Sequence, residues 1–245
     1  MALEKEWFST WFCSPYYPLL YNNRDESEAG AFLECLMQAL HLPANAPILD
    51  LACGRGRHAR FLSALGYNVT GLDISEQSIA DAQLADPSNQ VDFRVHDMRL
   101  PFGDNLYLAV LNLFTSFGYF NDVADNLRVL KNIENALMPD GVFVIDYLNK
   151  PLVLKDLIPY QEMVKDNVQF RIRKTVENNV VVKTIEVEDG ATPRVFQERV
   201  QLFGLDEMRS MIAHSGLAVQ HIYGDYTLQP WTVDSPRLII TGGKA

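Results

Sequence analysis

The sequence predicts an α/β protein, a doubly wound, mostly parallel sheet interrupted by an antiparallel β insert. Three observations carry this. From Ile48 to Tyr147, short apolar runs alternate with segments of helical periodicity across short loops, the pattern of parallel strands joined by crossover helices. From about Phe170 to Leu202 the apolar period becomes two, which suits half-buried antiparallel strands. After Leu205 one helical segment and two more apolar runs follow. No ten-residue helix separates those last runs, so they are expected to pair antiparallel.

Each element has its own signal. Trp7, Phe8, Trp11, Phe12, Tyr16, Tyr17 and Tyr21 crowd the first 21 residues, and predict one or two helices packed on the domain or closing over a site. Phe32, Leu33, Leu36, Met37 and Leu40 mark a helix over 25–42, which the prolines at 43 and 47 end. Ile48–Leu51 is a short strand, followed by Ala52-Cys53-Gly54-Arg55-Gly56 and a helix from Arg57 to Leu65 that Gly66 terminates. Asn68–Leu72 is a second strand ending in Asp73. Ser75 N-caps the next helix, which Asp86-Pro87 stops. Val91–Val95 is a third strand, running into His96-Asp97-Met98. Leu106–Phe114 is almost continuously apolar, as a strand covered on both faces should be. A helix spans Asp122–Leu137, Met138-Pro139-Asp140-Gly141 is a turn, and Val142–Tyr147 is a fifth strand. Asn178-Asn179 joins two alternating runs as a hairpin, because asparagine tolerates positive φ. The expected division is an N-terminal helical cap (1–45), a main domain (46–150 and 204–245) and the insert (151–203).

Composition narrows the function classes. Of 245 residues, 21 are basic and 31 acidic, a net charge of −10, and residues 1–150 carry 10 basic against 19 acidic side chains. Such a chain is poorly suited to gripping phosphate backbones, so nucleic acid is not expected as a partner. Cys13, Cys35 and Cys53 have no metal-ligand spacing and leave one thiol over in any disulfide scheme, which points to a reducing, cytoplasmic setting. No apolar run is long enough to span a bilayer and no secretory signal is visible, so no membrane partner is expected. A homodimer stays open. No metal site is expected, because no His/Cys/carboxylate cluster has ligand spacing.

The strongest chemical signal is strand, tight two-glycine loop, helix: Ile48-Leu49-Asp50-Leu51-Ala52-Cys53-Gly54-Arg55-Gly56-Arg57-His58. Glycines let a ligand approach bare backbone, and the helix start offers free N–H groups. Alone, the motif serves dinucleotides, nucleosides or nothing. Two acids sharpen it. Asp73 ends the second strand, 17 residues after Gly56, where a carboxylate can accept from ribose hydroxyls. Asp97 ends the third strand beside Met98. Strand-end aspartates often only cap helices, yet the loop and both acids stand at three successive strand ends, where such folds bind ligands.

DLACGRGRHA, with GLDIS and VHDM downstream, resembles the class I S-adenosylmethionine-dependent methyltransferases, closely over 45–147 and in outline over 205–242. The resemblance implies a seven-stranded Rossmann-like sheet whose last strand is antiparallel, and S-adenosylmethionine as cofactor. It implies that Asp50, Ala52 and Gly54 line the methionine end, that Asp73 holds the ribose and Ile74 packs on adenine. Asp97 and Met98 would meet the adenine edge and face, and Leu113 and Phe114 would flank the transferring methyl. The family usually has glycine where this chain has Ala52. Tyr17, Tyr21, Arg24 and Asp25 resemble the N-terminal segment of small-molecule N-methyltransferases that closes over the donor. Arg24 would then pair with the methionine carboxylate, and the tyrosine faces would attract a sulfonium. His58, just inside the helix start, is a further cofactor candidate. Tyr119, Tyr147 and Asn149 lie at predicted strand ends and are candidates for orienting a small-molecule acceptor, together with Phe114. No general base stands out. Two other classes stay open: a nicotinamide-dependent oxidoreductase on a related fold, and a non-catalytic nucleoside-binding module.

Overall fold

The computed structural model describes residues 6–21, 26–190 and 192–245. Two short helices, α1 (Trp7–Trp11) and α2 (Tyr16–Leu20), precede a long one, α3 (Glu26–Leu40). The main domain follows as β1 (Pro47–Leu51), α4 (Arg57–Ala64), β2 (Asn68–Asp73), α5 (Glu76–Leu84), β3 (Val91–Val95), β4 (Tyr107–Asn112), α6 (Val123–Ala136) and β5 (Leu137–Leu148). A short helix, α7 (Lys150–Asp156), leads into β6 (Tyr160–Lys165), β7 (Val168–Glu177), β8 (Val180–Glu188) and β9 (Arg194–Gln201). The chain ends with α8 (Leu205–His214), β10 (Leu217–Tyr223) and β11 (Arg237–Lys244).

The seven-stranded sheet has the order β10-β11-β5-β4-β1-β2-β3. β1 through β5 pair parallel, and β11 runs antiparallel to both β5 and β10. The alternation of side chains across β1 splits the core. Leu49 and Leu51 pack into one apolar layer with Val110 and Phe143, whereas Ile48 packs into the other with Ala109, Leu111 and Val144. Strand order reverses between β1 and β4, which opens a crevice at their carboxyl ends.

β6-β7-β8-β9 form a second, wholly antiparallel sheet. One face carries Phe170, Ile172, Ile185 and Val187, which bury Trp11, Tyr16 and Leu20 of the N-terminal helices. The other is wet, with Arg171 paired to Glu188 at 2.7 Å and Arg173 to Glu186.

Three local departures from expectation have clear causes. Met138–Gly141 is not a turn ahead of a strand. β5 is continuous, and the four residues bulge between the Tyr107–Leu137 and Ala109–Val142 pairs. β4 stops at Asn112, two residues short of the apolar run, because Phe114 and Thr115 turn into the left-handed region at φ 56° and 62°. Helix α7 is an addition to the elements that the apolar pattern predicts. Pro151 in its first turn has a fixed φ suited to that position, and a seven-residue helix gives little periodicity to read.

Candidate active site

The loop after β1 is shaped by three left-handed residues, Ala52 (φ 63°), Gly54 (φ 55°) and Gly56 (φ 72°). Gly56 is needed twice over, since a Cβ there would lie 2.3 Å from the Phe93 ring. A Cβ on Gly54 would meet only open space, so this residue offers bare backbone outward. Its N–H donates to Asp73 Oδ2 at 2.8 Å, and Ser75 N–H donates to Asp73 Oδ1 at 2.8 Å. Asp73 therefore ties the first loop to the second, and each of its oxygens keeps a further lone pair. Burial pushes its pKa up, offset in part by the N–H groups of Ser75, Gly54 and Ile74.

A pocket with about 450 Å³ of empty space, including its open mouth, lies above β1, β2 and β3. Ala52, Asp73, Ile74, His96, Asp97 and Met98 form its floor and sides, and Phe8, Phe12, Tyr119 and Phe120 its aromatic wall. Asp97 is gripped by Arg99, whose Nε lies 3.1 and 3.0 Å from its two oxygens. Burial works against the charge on Asp97, but the hydrogen bonds from Arg99 outweigh it and hold the carboxyl below its ordinary value. Arg99 also forks onto Glu6 at 2.7 and 2.8 Å and lies over Phe120 and Phe8, 4.7 and 5.8 Å from the ring centres.

Asp50 is buried at the end of β1. Desolvation, followed by repulsion from Asp73, raises its pKa to about 7, while Ala59 N–H and Arg57 counter this. Its Oδ2 has no hydrogen-bond partner among the described residues. An orphaned buried carboxylate oxygen costs stability, and an ammonium group satisfies it. The strand-end acids, the bare loop and this oxygen fit an amino-acid nucleoside such as S-adenosylmethionine.

The pocket thus collects Ala52, Asp73, Ile74, Asp97, Met98 and Tyr119, with Gly54 bonded to Asp73. Leu113 is packed in the core at 3% exposure. Phe114 is half-buried, stacked on His58 at 4.7 Å, and His58 also lies 3.1 Å from Arg57 Nη2. Tyr17 and Tyr21 sit behind the aromatic wall. Tyr17 packs on Phe12 and Tyr21 on Tyr17, with centroids 4.9 and 5.1 Å apart, and Lys183 donates to the Tyr21 hydroxyl. Arg24 and Asp25 lie outside the described residues.

Two acceptor candidates need correction. Tyr147 is fully buried on Phe203 and donates its hydroxyl to the Gln201 carbonyl, with its pKa raised by burial. It ties β5 to the end of the insert. Asn149 is also buried. Its amide donates to the carbonyls of Thr232, Val233 and Ser235, and its oxygen accepts from Trp231 Nε1 at 3.2 Å. Every polar atom of the Asn149 side chain is committed to the loop before β11. Strand-end position alone hides this, because it does not tell which way a side chain turns. The residues overlooked are Arg99 and Phe120, while Phe8 and Phe12 belong to the aromatic segment that the sequence sets on the domain or over a site. Phe8 and Phe12 are four apart on one helix face, and Asp97-x-Arg99 is a readable charge pair, but nothing local to the sequence ties helix α1 to β3.

A methyltransferase domain model matches residues 49–145, the span from β1 to β5. The chain thus carries the domain of an S-adenosylmethionine-dependent methyltransferase over that span. Relatives agree over longer spans. The putative methyltransferase YqeM of Bacillus subtilis is 26% identical over 214 residues, 83% of this chain and 86% of that protein. A dTDP-3-amino-3,6-dideoxy-alpha-D-glucopyranose N,N-dimethyltransferase of Streptomyces fradiae is 31% identical over 53% of this chain and 51% of its own. The CcbJ methyltransferase of Streptomyces caelestis shares the fold, with a TM-score of 0.81 over 99% of this chain and 100% of that one at 19% identity. These findings favour neither the nicotinamide reading nor the non-catalytic one for the methyltransferase.

Proposed function

We propose that the methyltransferase methylates a small-molecule amine. The observation that carries this is the aromatic wall. Phe8, Phe12, Tyr119 and Phe120 bound the pocket, and helix α1, which with the residue after it supplies two of them, is backed together with α2 by the second sheet. A site roofed by its own chain suits a compact acceptor better than a polymer, and the net charge of −10 works against nucleic acid. The amine is supported by the dimethyltransferase relative, whose name specifies an amino sugar.

S-adenosylmethionine supplies an electrophilic methyl on a sulfonium. The chain's part is then to bind, align and exclude water. In this reading Asp73 accepts from the ribose hydroxyls, Asp97 and Met98 meet the adenine, Asp50 faces the methionine ammonium, and Leu113 and Phe114 border the methyl's path. Alignment supplies much of the acceleration in such displacements, and an amine that arrives unprotonated needs no base. Residues 1–45, with Tyr17, Tyr21 and Arg24, are proposed as the cap that shields donor from water. A cytoplasmic setting accords with three free cysteines. Neither nucleic acid nor membrane is proposed as a partner, and a homodimer is compatible with the reading.

Labelled donor incubated with fractionated metabolites and an amine panel tests the function. Label is expected in a small amine. Label appearing only in hydroxyl or carboxyl products, or only in macromolecules, overturns it.

A further inference from the structure

The end of β4 is strained, and what holds it lies outside the pocket. Phe114 and Thr115 are consecutive non-glycine residues at φ 56° and 62°. A β-branched residue such as Thr115 rarely adopts this region, and such a conformation persists only where its surroundings over-determine it. Here they do. Phe114 N–H donates to Asp146 Oδ2 at 2.9 Å, and Thr115 N–H donates to the Asp146 carbonyl at 3.0 Å. Thr115 Oγ1 accepts from Arg237 Nη2 at 2.8 Å. Asp146 is fully buried, and Arg237 Nε donates to its Oδ1 at 2.7 Å while the Tyr226 hydroxyl donates to Oδ2 at 3.1 Å. The pair thus joins β5 to β11 and fastens both residues of the turn.

The turn in turn sets the pocket wall. The Tyr119 hydroxyl donates to the Thr115 carbonyl. The Tyr119 ring lies edge-on to Trp7 at 5.1 Å, and its carbonyl accepts from Trp7 Nε1 at 3.3 Å. A buried ion pair contributes little net stability compared with apolar side chains of the same volume. An apolar pair, however, has no acceptor for Phe114 N–H and no donor for Thr115 Oγ1.

We propose that Asp146 and Arg237 are positioning residues for donor binding, holding Phe114–Thr115 left-handed so that Tyr119 stands against the nucleoside pocket. The proposal rests on the pocket being the donor site. S-adenosylhomocysteine is the probe, measured by calorimetry, with thermal unfolding in parallel. Asp146→Asn should weaken binding about tenfold or more. Asparagine stands in the left-handed region more readily than threonine and still offers an oxygen to Arg237. Adding Thr115→Asn to Asp146→Asn should therefore recover most of the lost affinity. Arg237→Lys keeps the charge and loses the fork, and should fall between wild type and Asp146→Asn. If Asp146→Asn does not fold, Arg237→Lys with and without Thr115→Asn is read the same way. Full affinity in the single variant, or melting temperature restored by Thr115→Asn without affinity, overturns the proposal. Loss of binding in the wild type itself would instead overturn the assignment of the pocket.

Discussion

The side of the pocket proposed for the donor and the side proposed as the cap are built from opposite kinds of contact. On the donor side, Gly54 meets Asp73 across 19 residues and Ser75 meets Asp73 across two. Loops at neighbouring strand ends make both contacts. On the cap side, Trp11 donates to Glu198 Oε1 at 2.6 Å across 187 residues, and Tyr16 reaches Asp189 across 173. Glu198 also accepts from Tyr21 and faces Lys183 at 3.3 Å. The donor side is a property of one supersecondary unit, so it can recur on many chains. The cap side exists only where the N-terminal helices and this insert occur together. Specificity for the acceptor is expected to reside there.

Substitutions that fall on one side each can break or sharpen this contrast. The largest effect is expected on the cap. Trp11→Ala removes a fully buried indole, at a cost of about 3–5 kcal/mol, and should lower the melting temperature by roughly 10 °C. Calorimetric scanning checks this, and a variant that melts normally yet no longer binds donor would merge the two sides. Next is Asp73→Ala, which deletes the charged acceptor of the donor side. Hydrogen bonds to charged groups contribute about 1.5–3 kcal/mol each, so the affinity for S-adenosylhomocysteine should fall roughly a hundredfold or more. Titration calorimetry with circular dichroism as a fold control decides it, and retained affinity removes Asp73 from the site.

A smaller effect follows from Asp50. Its folded pKa is about 7, above the ordinary carboxylate value, so the folded state binds this proton more tightly than the unfolded one. Stability assigned to Asp50 is therefore greatest at low pH and declines as pH rises from about 4 through 7. Donor binding to the ionised form runs the other way. Affinity for S-adenosylhomocysteine should drop about tenfold from pH 7 to pH 5.5, a range in which its amine stays protonated. Asp50→Asn should flatten that profile, and an unchanged slope assigns it to another group. The smallest effect is expected at Ala52, left-handed at φ 63°. Ala52→Gly relieves strain and should raise stability by about 0.5–1 kcal/mol after the entropic cost of glycine. A destabilised variant would mean that the methyl of Ala52 packs usefully in the pocket.

The same contrast explains what could be read from the chain alone. The strand–helix alternation, the antiparallel last pair and the loop with its two acids were legible, since each depends on local periodicity, a glycine or a strand end within a few tens of residues, whereas the order of strands across the sheet is set by contacts that no local pattern records. The second sheet was legible as a sheet, because alternation needs one covered face, but not what covers it. Alternation carries no address, so the pairing of Phe170 and Ile185 with Trp11 was invisible. Tyr147 and Asn149 were misplaced for a related reason. At the end of a buried strand both faces are interior, and the period of two does not separate the pocket side from the packing side. Arg99 was missed because its partner Glu6 lies 93 residues away.

The clasp between Trp11 and Glu198 also dictates an order of assembly. During synthesis, the first helices emerge long before the strand that receives them. The parallel core from β1 to β5 contains its own near neighbours, whereas the aromatic wall must wait for β9. Contacts of such sequence separation form late in folding. Refolding from denaturant should therefore restore far-ultraviolet ellipticity before the indole emission of Trp7 and Trp11 reaches its native wavelength, with competence to bind donor returning in the second phase. Simultaneous recovery of all three signals would show that the N-terminal helices dock on the nascent core without the insert. Until β9 arrives, the pocket proposed for the donor has a floor and no roof, and its apolar lining stays open to water.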